Sequence, residues 1–581
     1  MTAPRDNKKD SEYLDHNFSC AQPIGCSIAS HFEPELPPFS DDEAYRILGN
    51  AVPAKIADYE RIKLAVEHCT EKHARCRPPT ERSDLELTMI DCVNRCLIPF
   101  SLNRPYICLS YVWGAPSTED SDATLPDALP KTIEDAMDVA AQLGIPYLWV
   151  DRYCIDQENL PVKLKTIQQM DKIYGCAEIT IIATHGNGPH EGLPGVRGTA
   201  RARQCRLDLG ENVYVDAGLI LPTVIWSLPE EIKTSTWFTR GWTFQEMLLS
   251  RRCLAFTSLG MYYQCRTQYF AEAVRNVGDV VMSEESKRVP QVFPCLGDDG
   301  RIKDLVQRLS EYSTRTLSFN RDLINAFLGI FNAFDAAKID NIRVTHFYGI
   351  PVLYRTAHDI ELATITFLGH LQWNIGFDQL SQEWESDTFP YWSWASEKGV
   401  RPAEDNAALS LGRLDPEKPA FGANCAGMEV RLWHKQRGSV PLSAILSPVD
   451  DHLDYLPRVD VSTWATTVSR MKGDEYPIDP DLDGMLARQT GDVHVICLHL
   501  EKQWNMPSRI AITGLYCIET AAHEYRRLRN FYIMIEMTRF NVAVDDEEAM
   551  EAMRDTLVAR GVSSLEDIEG DGWARRTFTL V

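Results

Sequence analysis

The side chains that could do chemistry fall in two stretches. The first is residues 148–159, LWVDRYCIDQEN. It opens as an apolar strand and turns abruptly polar, with Asp151, Arg152, Cys154, Asp156, Gln157, Glu158 and Asn159 in quick succession. In an open α/β sheet, ligands sit at the carboxyl ends of buried strands, so a strand that empties into carboxylates and amides reads as the floor of a site. A polar loop capping the next helix gives the same text. The second stretch is residues 235–256, STWFTRGWTFQEMLLSRRCLAF. Residues 240–249 read as a helix in which Trp242, Gln245, Glu246 and Leu249 share a face. A carboxylate on the inner face of an apolar helix must be paired, solvated in a cleft or raised in pKa. Arg240, Arg251 and Arg252 are the candidate partners for a purely structural ion pair.

Cys69, His73 and Cys76 invite a metal test. Spacings of four and three put them on one helix face, and Cys92 and Cys96 are the candidates to complete a set. Structural zinc sites usually show paired C-x2-4-C knuckles at turns. The pattern here matches weakly, so a packed helix face and no metal is the expectation. A thiol reading also exists, with Cys154 as nucleophile, His185 as base and Asp151 as orienter. A cysteine after a buried strand more often packs than reacts.

The elements that must position these groups are read from periodicity. Residues 58–73 carry an apolar stripe of helical period, stopped by Pro78 and Pro79. A buried strand within residues 104–114 ends in Ser110-Tyr111, with Trp113 just beyond. A helix opened by Pro130 and stopped by Gly144 leads to the strand before Asp151. A helix at 161–176 leads to a strand at 178–183, which ends in Thr184-His185 and a glycine-rich loop. Strand, helix, strand at this spacing makes βαβ units with parallel strands. Three consecutive strands therefore end in polar residues on one edge of the sheet. Residues 200–232 read as a short β excursion. Residues 301–336 and 355–373 read as helices, and short β-like runs between turns dominate beyond 385. The expected organisation is a loose arm at 1–45, an α/β domain at 46–257, a helical connector at 258–384 and a mainly antiparallel β domain at 385–581. The acidic stretch at 545–570 reads as a peripheral helix and tail.

Composition narrows the function. Acidic residues outnumber basic ones by 83 to 59 for a net charge of −24, which argues against polyanionic partners such as nucleic acid or a membrane surface. The beginning of the sequence has no apolar signal region and the chain no 18-residue apolar run, so no export signal or membrane span is expected. The 16 cysteines then read as reduced thiols, which fits the cytosol or the nucleus, with the cytoplasm as the expected location. The P-loop, zincin, nucleophile-elbow and dinucleotide fingerprints are all absent.

Four ordered blocks resemble the fungal heterokaryon incompatibility (HET) domain family: CLSYVWG at 108–114, LWVDRYCIDQEN at 148–159, the run ending IYGCAEITIIAT at 184, and TRGWTFQEMLLSRRCLAF at 239–256. Later pieces, including PYWSWAS, are similar to the region downstream of that domain in the family. Arg152-Tyr153 departs from the small or apolar residues more usual before the cysteine. The resemblance implies fungal non-self recognition and cell death, with an incompatibility partner and self-association as the interactions to expect. It further implies kinship with the flavodoxin-like TIR fold, in which a carboxylate on a W-C-x-x-E-L helix cleaves the N-glycosidic bond of NAD. Glu246 falls on that carboxylate. Asp151 would assist it. Ser110, Tyr111, Trp113, Cys154, Gln157, His185 and Trp242 would line the substrate site, and Arg152 or Arg240 would hold a phosphate. NAD is then a substrate and no cofactor is implied. A non-catalytic interaction module and a biosynthetic enzyme acting on a small metabolite are the alternatives.

Overall fold

The computed structural model describes residues 57–78, 86–101, 103–114, 125–202, 207–208, 214–215, 221–272, 291–295, 302–375, 389–396, 400–402, 428–446, 454–467, 493–502, 509–521, 524–536 and 574–581. The arm at 1–45 and the acidic stretch at 545–570 lie outside them. The chain divides into two compact units, residues 1–295 and 296–581.

The first unit is built on an eight-stranded sheet. Its centre is four short parallel strands: β3 (Ile107–Ser110), β4 (Tyr147–Trp149), β5 (Ile179–Ala183) and β8 (Arg252–Thr257), in the spatial order β4-β3-β5-β8. Counted along the chain, that is the order 2-1-3-4. These strands are near-continuous apolar runs: Ile107, Cys108, Leu148, Trp149, Ile181 and Leu254 are all fully buried, as parallel strands covered on both faces require.

The βαβ rhythm predicts a parallel sheet, and the sheet is parallel only at this centre. An antiparallel hairpin, β1 (Glu86–Asp91) and β2 (Cys96–Ser101), extends it beyond β4. A second antiparallel extension, β9 (Gly260–Cys265) and β10 (Tyr269–Ala271), runs beyond β8. Periodicity could not order these flanking strands, because pairing direction depends on connections and not on residue pattern.

The helices obey local signals. Helix α1 (Tyr59–Lys72) starts where the Asp58 side chain accepts the Arg61 N–H, an N-cap worth about 1 kcal/mol. Helix α2 (Lys131–Gln142) buries Ile133, Ala136, Met137 and Ala140. It ends before Gly144, whose φ of +74° suits the left-handed turn that stops a helix. Short helix α3 (Asp151–Cys154) comes directly after β4. The single helix expected at 161–176 is two, α4 (Leu160–Ile167) and α5 (Met170–Cys176), because Gln169 (φ −113°, ψ 13°) departs from helical geometry. Residues 221–234 form helix α6 (Leu221–Thr234) where β structure is expected, and the short pairing of β6 (Leu207–Asp208) with β7 (Tyr214–Val215) precedes it. Helices α7 (Thr236–Thr239) and α8 (Gly241–Leu249) lead into β8.

The glycine-rich loop after β5 folds back on α2. Buried Asp135 accepts the Leu193 N–H, the Thr199 hydroxyl and the Lys131 ammonium. Gly192 sits against it at φ +81°, where a Cβ would come within 2.5 Å of the Asp135 carboxylate. The loop's polar residues are thus largely spent on structure.

The second unit begins with helices α9 (Lys303–Ser313) and α10 (Asn325–Ala337), separated by irregular backbone where one helical run is expected. The hairpin β11 (Arg343–Phe347) and β12 (Ile350–Tyr354) and helix α11 (Ile360–His370) come next. Trp394 of the PYWSWAS block lies fully buried and donates to the Gly349 carbonyl at 2.7 Å. A small hairpin pairs β13 (Trp373–Ile375) with β14 (Val400–Pro402). The rest is a largely antiparallel sheet of β15 (Glu429–His434), β16 (Gly438–Pro441), β17 (Tyr455–Thr467), β18 (Val493–Lys502), β19 (Arg509–Ala521), β20 (Glu524–Glu536) and β21 (Ala574–Leu580). Strand β21 pairs with both β20 and β17, so β17 to β21 close into a five-stranded ring. Among the described residues, no helix is long and apolar enough to cross a membrane.

Candidate active site

Parallel strands β3, β4 and β5 present Ser110, Asp151 and Thr184-His185 on one edge. Helix α8 runs into β8 and brings Glu246 to the same edge. The hydroxyl of Ser110 donates to Glu246 Oε2. The indole of Trp237, fully buried in α7, donates to Ser110 Oγ at 2.7 Å. Ser110 is therefore a relay: it accepts from tryptophan and donates to the acid. Tyr174, from α5, places its hydroxyl beside Glu246 as a further stabiliser of the charged form.

Asp151 sits next to this group under a different set of donors. Trp113 Nε1 lies 3.0 Å from both of its carboxylate oxygens, and the Arg152 N–H donates to Oδ1 at 2.8 Å. Gln157 fixes the turn from behind, its amide donating to the Asp151 carbonyl at 3.0 Å. The Arg152 guanidinium lies 5.8 Å from the Trp113 ring centre. Tyr111 is buried within electrostatic range of Asp151 and Arg152.

The two acids feel each other. Burial is the larger influence on Glu246, the charge of Asp151 the next, and together they push it up to about 8. The Ser110 hydrogen bond and Arg240 oppose the rise. Asp151 is lifted by burial to about 6, opposed by the Arg152 N–H, Trp113, Arg240 and Arg152. Near neutral pH the pair therefore carries a protonated Glu246 beside an ionised Asp151. Environments that push two neighbouring carboxyls apart are how acid and base roles are divided at one site. Glu246 and Ser110 are fully enclosed, while Trp113, Asp151, Arg152 and Arg240 are half-buried around them; Trp242 is half-buried too, and among the described residues no contact ties it to either acid.

The structural ion pair open to Glu246 does not form with the arginines that come after its helix. Arg251 and Arg252 turn to Glu178 and to the carbonyls of Cys76, Cys176, Ala177 and Glu178. Nor is α8 buried on one face alone. Thr243, Phe244, Met247 and Leu248 are as enclosed as Gln245 and Glu246, and Trp242 is the more exposed member. The tryptophan that touches the acid's network is Trp237, which the helical period around Glu246 could not nominate because it lies in the preceding turn.

The thiol grouping fares differently. Cys154 Sγ accepts the Val150 N–H at 3.3 Å and faces the Leu148 carbonyl, and burial pushes its pKa up to about 12. A thiol so held is not a nucleophile at neutral pH. His185 is half-buried at the end of β5. Among the described residues, no hydrogen bond joins it to Asp151, Cys154 or Glu246.

Four residues gather a second cluster away from this edge: Cys69, His73, Cys76 and Cys265. Cys92 and Cys96, the expected completing pair, instead flank the turn between β1 and β2, and the fourth member comes from β9. Nor do the three N-terminal members share a helix face: α1 ends at Lys72, His73 is extended and Cys76 closes a 3-10 turn.

The family model described as Heterokaryon incompatibility protein (HET) matches residues 106–246. The chain carries a HET domain, and the match runs from the residue before β3 to Glu246 itself. No curated protein and no solved structure matches the chain.

Proposed function

We propose that the HET domain of this chain cleaves the N-glycosidic bond of NAD or a related nucleotide. The observation that carries this reading is the pairing of Glu246 and Asp151 at the carboxyl end of the parallel strands, close enough to perturb each other. The strand order 2-1-3-4 supports it, because flavodoxin-like sheets use that order and bind ligands outside strand ends where the order reverses. Strand β3, which supplies Ser110, sits at that reversal.

Breaking the nicotinamide–ribose bond sends the bonding pair to nicotinamide, which leaves neutral. The ribose carbon becomes oxocarbenium-like, and a carboxylate beside it offsets the charge. Glu246 must be ionised to act so. The cationic nicotinamide-ribosyl group would lower the Glu246 pKa as it binds, so that the Glu246 proton is released to solvent before the bond breaks. Asp151 then takes the proton of the attacking water. The half-buried Arg152 and Arg240 suit phosphate oxygens, and Trp113 suits stacking against a flat ring.

The test is incubation of the purified chain with NAD, at dilute and at concentrated protein, with nicotinamide tracked by chromatography. Release lost in Glu246→Ala and kept in Cys154→Ala supports the reading. No release at any protein concentration, with wild type and Glu246→Ala alike, sinks it. In that case the domain acts through a protein contact, as an incompatibility module.

A further inference from the structure

The cluster of Cys69, His73, Cys76 and Cys265 has the chemistry of a metal centre, and we infer that it binds one zinc ion as a structural clasp. The four candidate ligand atoms, one from each residue, all lie within 4.8 Å of one another. A tetrahedral zinc with its usual bond lengths needs sulfur–sulfur edges of about 3.8 Å and sulfur–nitrogen edges of about 3.6 Å. Cys265 Sγ and His73 Nδ1 are 3.4 Å apart, already close to that edge. The widest pair needs to move inward by about 1 Å. Three thiolates and one imidazole are a ligand set that selects zinc among abundant divalent ions.

The surroundings are arranged for thiolates rather than thiols. Backbone N–H groups of Thr267 and Gln268 point at Cys265 Sγ at 3.4 and 3.2 Å. The Thr267 hydroxyl lies 3.9 Å from Cys76 Sγ. Arg252, fully buried, aims its Nε at Cys69 Sγ at 3.1 Å. Arg251 and Arg266 add positive charge nearby, donating to the carbonyls of Cys76 and Arg75, while Glu178 is the carboxylate that pairs with Arg251 and Arg252. A zinc with three thiolates and one histidine carries a net charge of −1. Such a centre fits a cationic lining, whereas three neutral thiols would leave those arginines less well compensated.

All four ligands are buried or nearly so, the histidine being the most exposed at 9 %. Four protein ligands leave no open position for substrate, which marks a structural and not a catalytic zinc. The centre joins the end of α1 and the turn after it to strand β9. Three ligands precede the HET match and the fourth lies beyond it. The ion would therefore fasten flanking segments across the sheet, outside the matched domain.

The test is a metal count on the full chain, purified without added metal and dialysed against a weak chelator. One equivalent of zinc per chain is expected. Exchange into cobalt should give the intense visible absorption of a tetrahedral thiolate site. Cys265→Ser should lose the metal, Cys265→His should retain it, and a Cys92→Ser/Cys96→Ser double variant should be unaffected. Should Cys265→Ser fail to fold, the wild-type count and cobalt spectrum decide alone. A count far below one equivalent, with these cysteines freely alkylated in the native chain or joined in a disulfide by mass spectrometry, overturns the inference.

Discussion

Replacing Glu246 by glutamine should change how stability depends on pH, and the sign is set by the site. Folding raises the Glu246 pKa from its ordinary 4.5 to about 8. A raised folded value means that the native chain holds a proton which the unfolded chain has released. Stability is therefore fully present below about pH 4.5 and falls as pH rises to about 8. One proton limits the slope to about 1.4 kcal/mol per pH unit. Asp151, raised from 3.8 to about 6, contributes its own decline at lower pH. Glutamine removes the first decline and leaves the second. Between about pH 6 and 8, wild type should lose up to about 3 kcal/mol relative to Glu246→Gln. Urea midpoints of both chains, read by tryptophan fluorescence at fixed ionic strength, supply the comparison. Other titrating groups, histidines included, are common to both and cancel. Parallel curves for the two chains would refute the assignment of a buried proton to Glu246.

Three more perturbations have defined outcomes. Ser110→Ala removes the relay between Trp237 and Glu246, leaving a buried indole N–H without its acceptor; a cost of about 2 kcal/mol is expected in urea unfolding, and the Glu246 carboxyl, having lost a donor, should titrate still higher by infrared difference spectroscopy. Arg201→Ala leaves Glu272 uncompensated where the two meet at 2.9 Å, with side chains 2 % and 5 % exposed; about 3–5 kcal/mol should be lost, with much of it recovered when Glu272 is also made apolar. Native-state alkylation should spare Cys154, and Cys154→Ala should leave any NAD turnover unchanged; rapid labelling of that thiol would contradict its enclosure.

The chemistry of the first unit was legible where it rested on local pattern. Ser110, Asp151 and Glu246 could be nominated because each interrupts an apolar segment with a polar group at a strand end or on a helix. Trp237 and Tyr174 could not. Both belong to apolar runs in which an aromatic residue is unremarkable; only the approach of α7 to β3 gives the Trp237 indole its acceptor, and only the packing of α5 brings Tyr174 close enough to influence Glu246. Cys265 was hidden for a similar reason. Its fellow ligands are nearly two hundred residues away in sequence, and β9 pairs at a position that no periodicity specifies. The flanking hairpins illustrate the same limit, since alternation identifies a strand but not its neighbours. Conversely, the reach for Cys92 and Cys96 erred by trusting nearness along the chain.

The return of β21 to β17 has a consequence for biosynthesis. The five-stranded ring lacks one stave until residues 574–580 have been translated and can pair on both sides. Until then β17 holds a row of uncommitted amides and carbonyls over Val459–Ala465 and β20 a short one at Glu524–Tyr525, the sort of border on which nascent chains stick to one another. A ribosome-bound product stalled before that point should engage chaperones, and release of the final stave should free it.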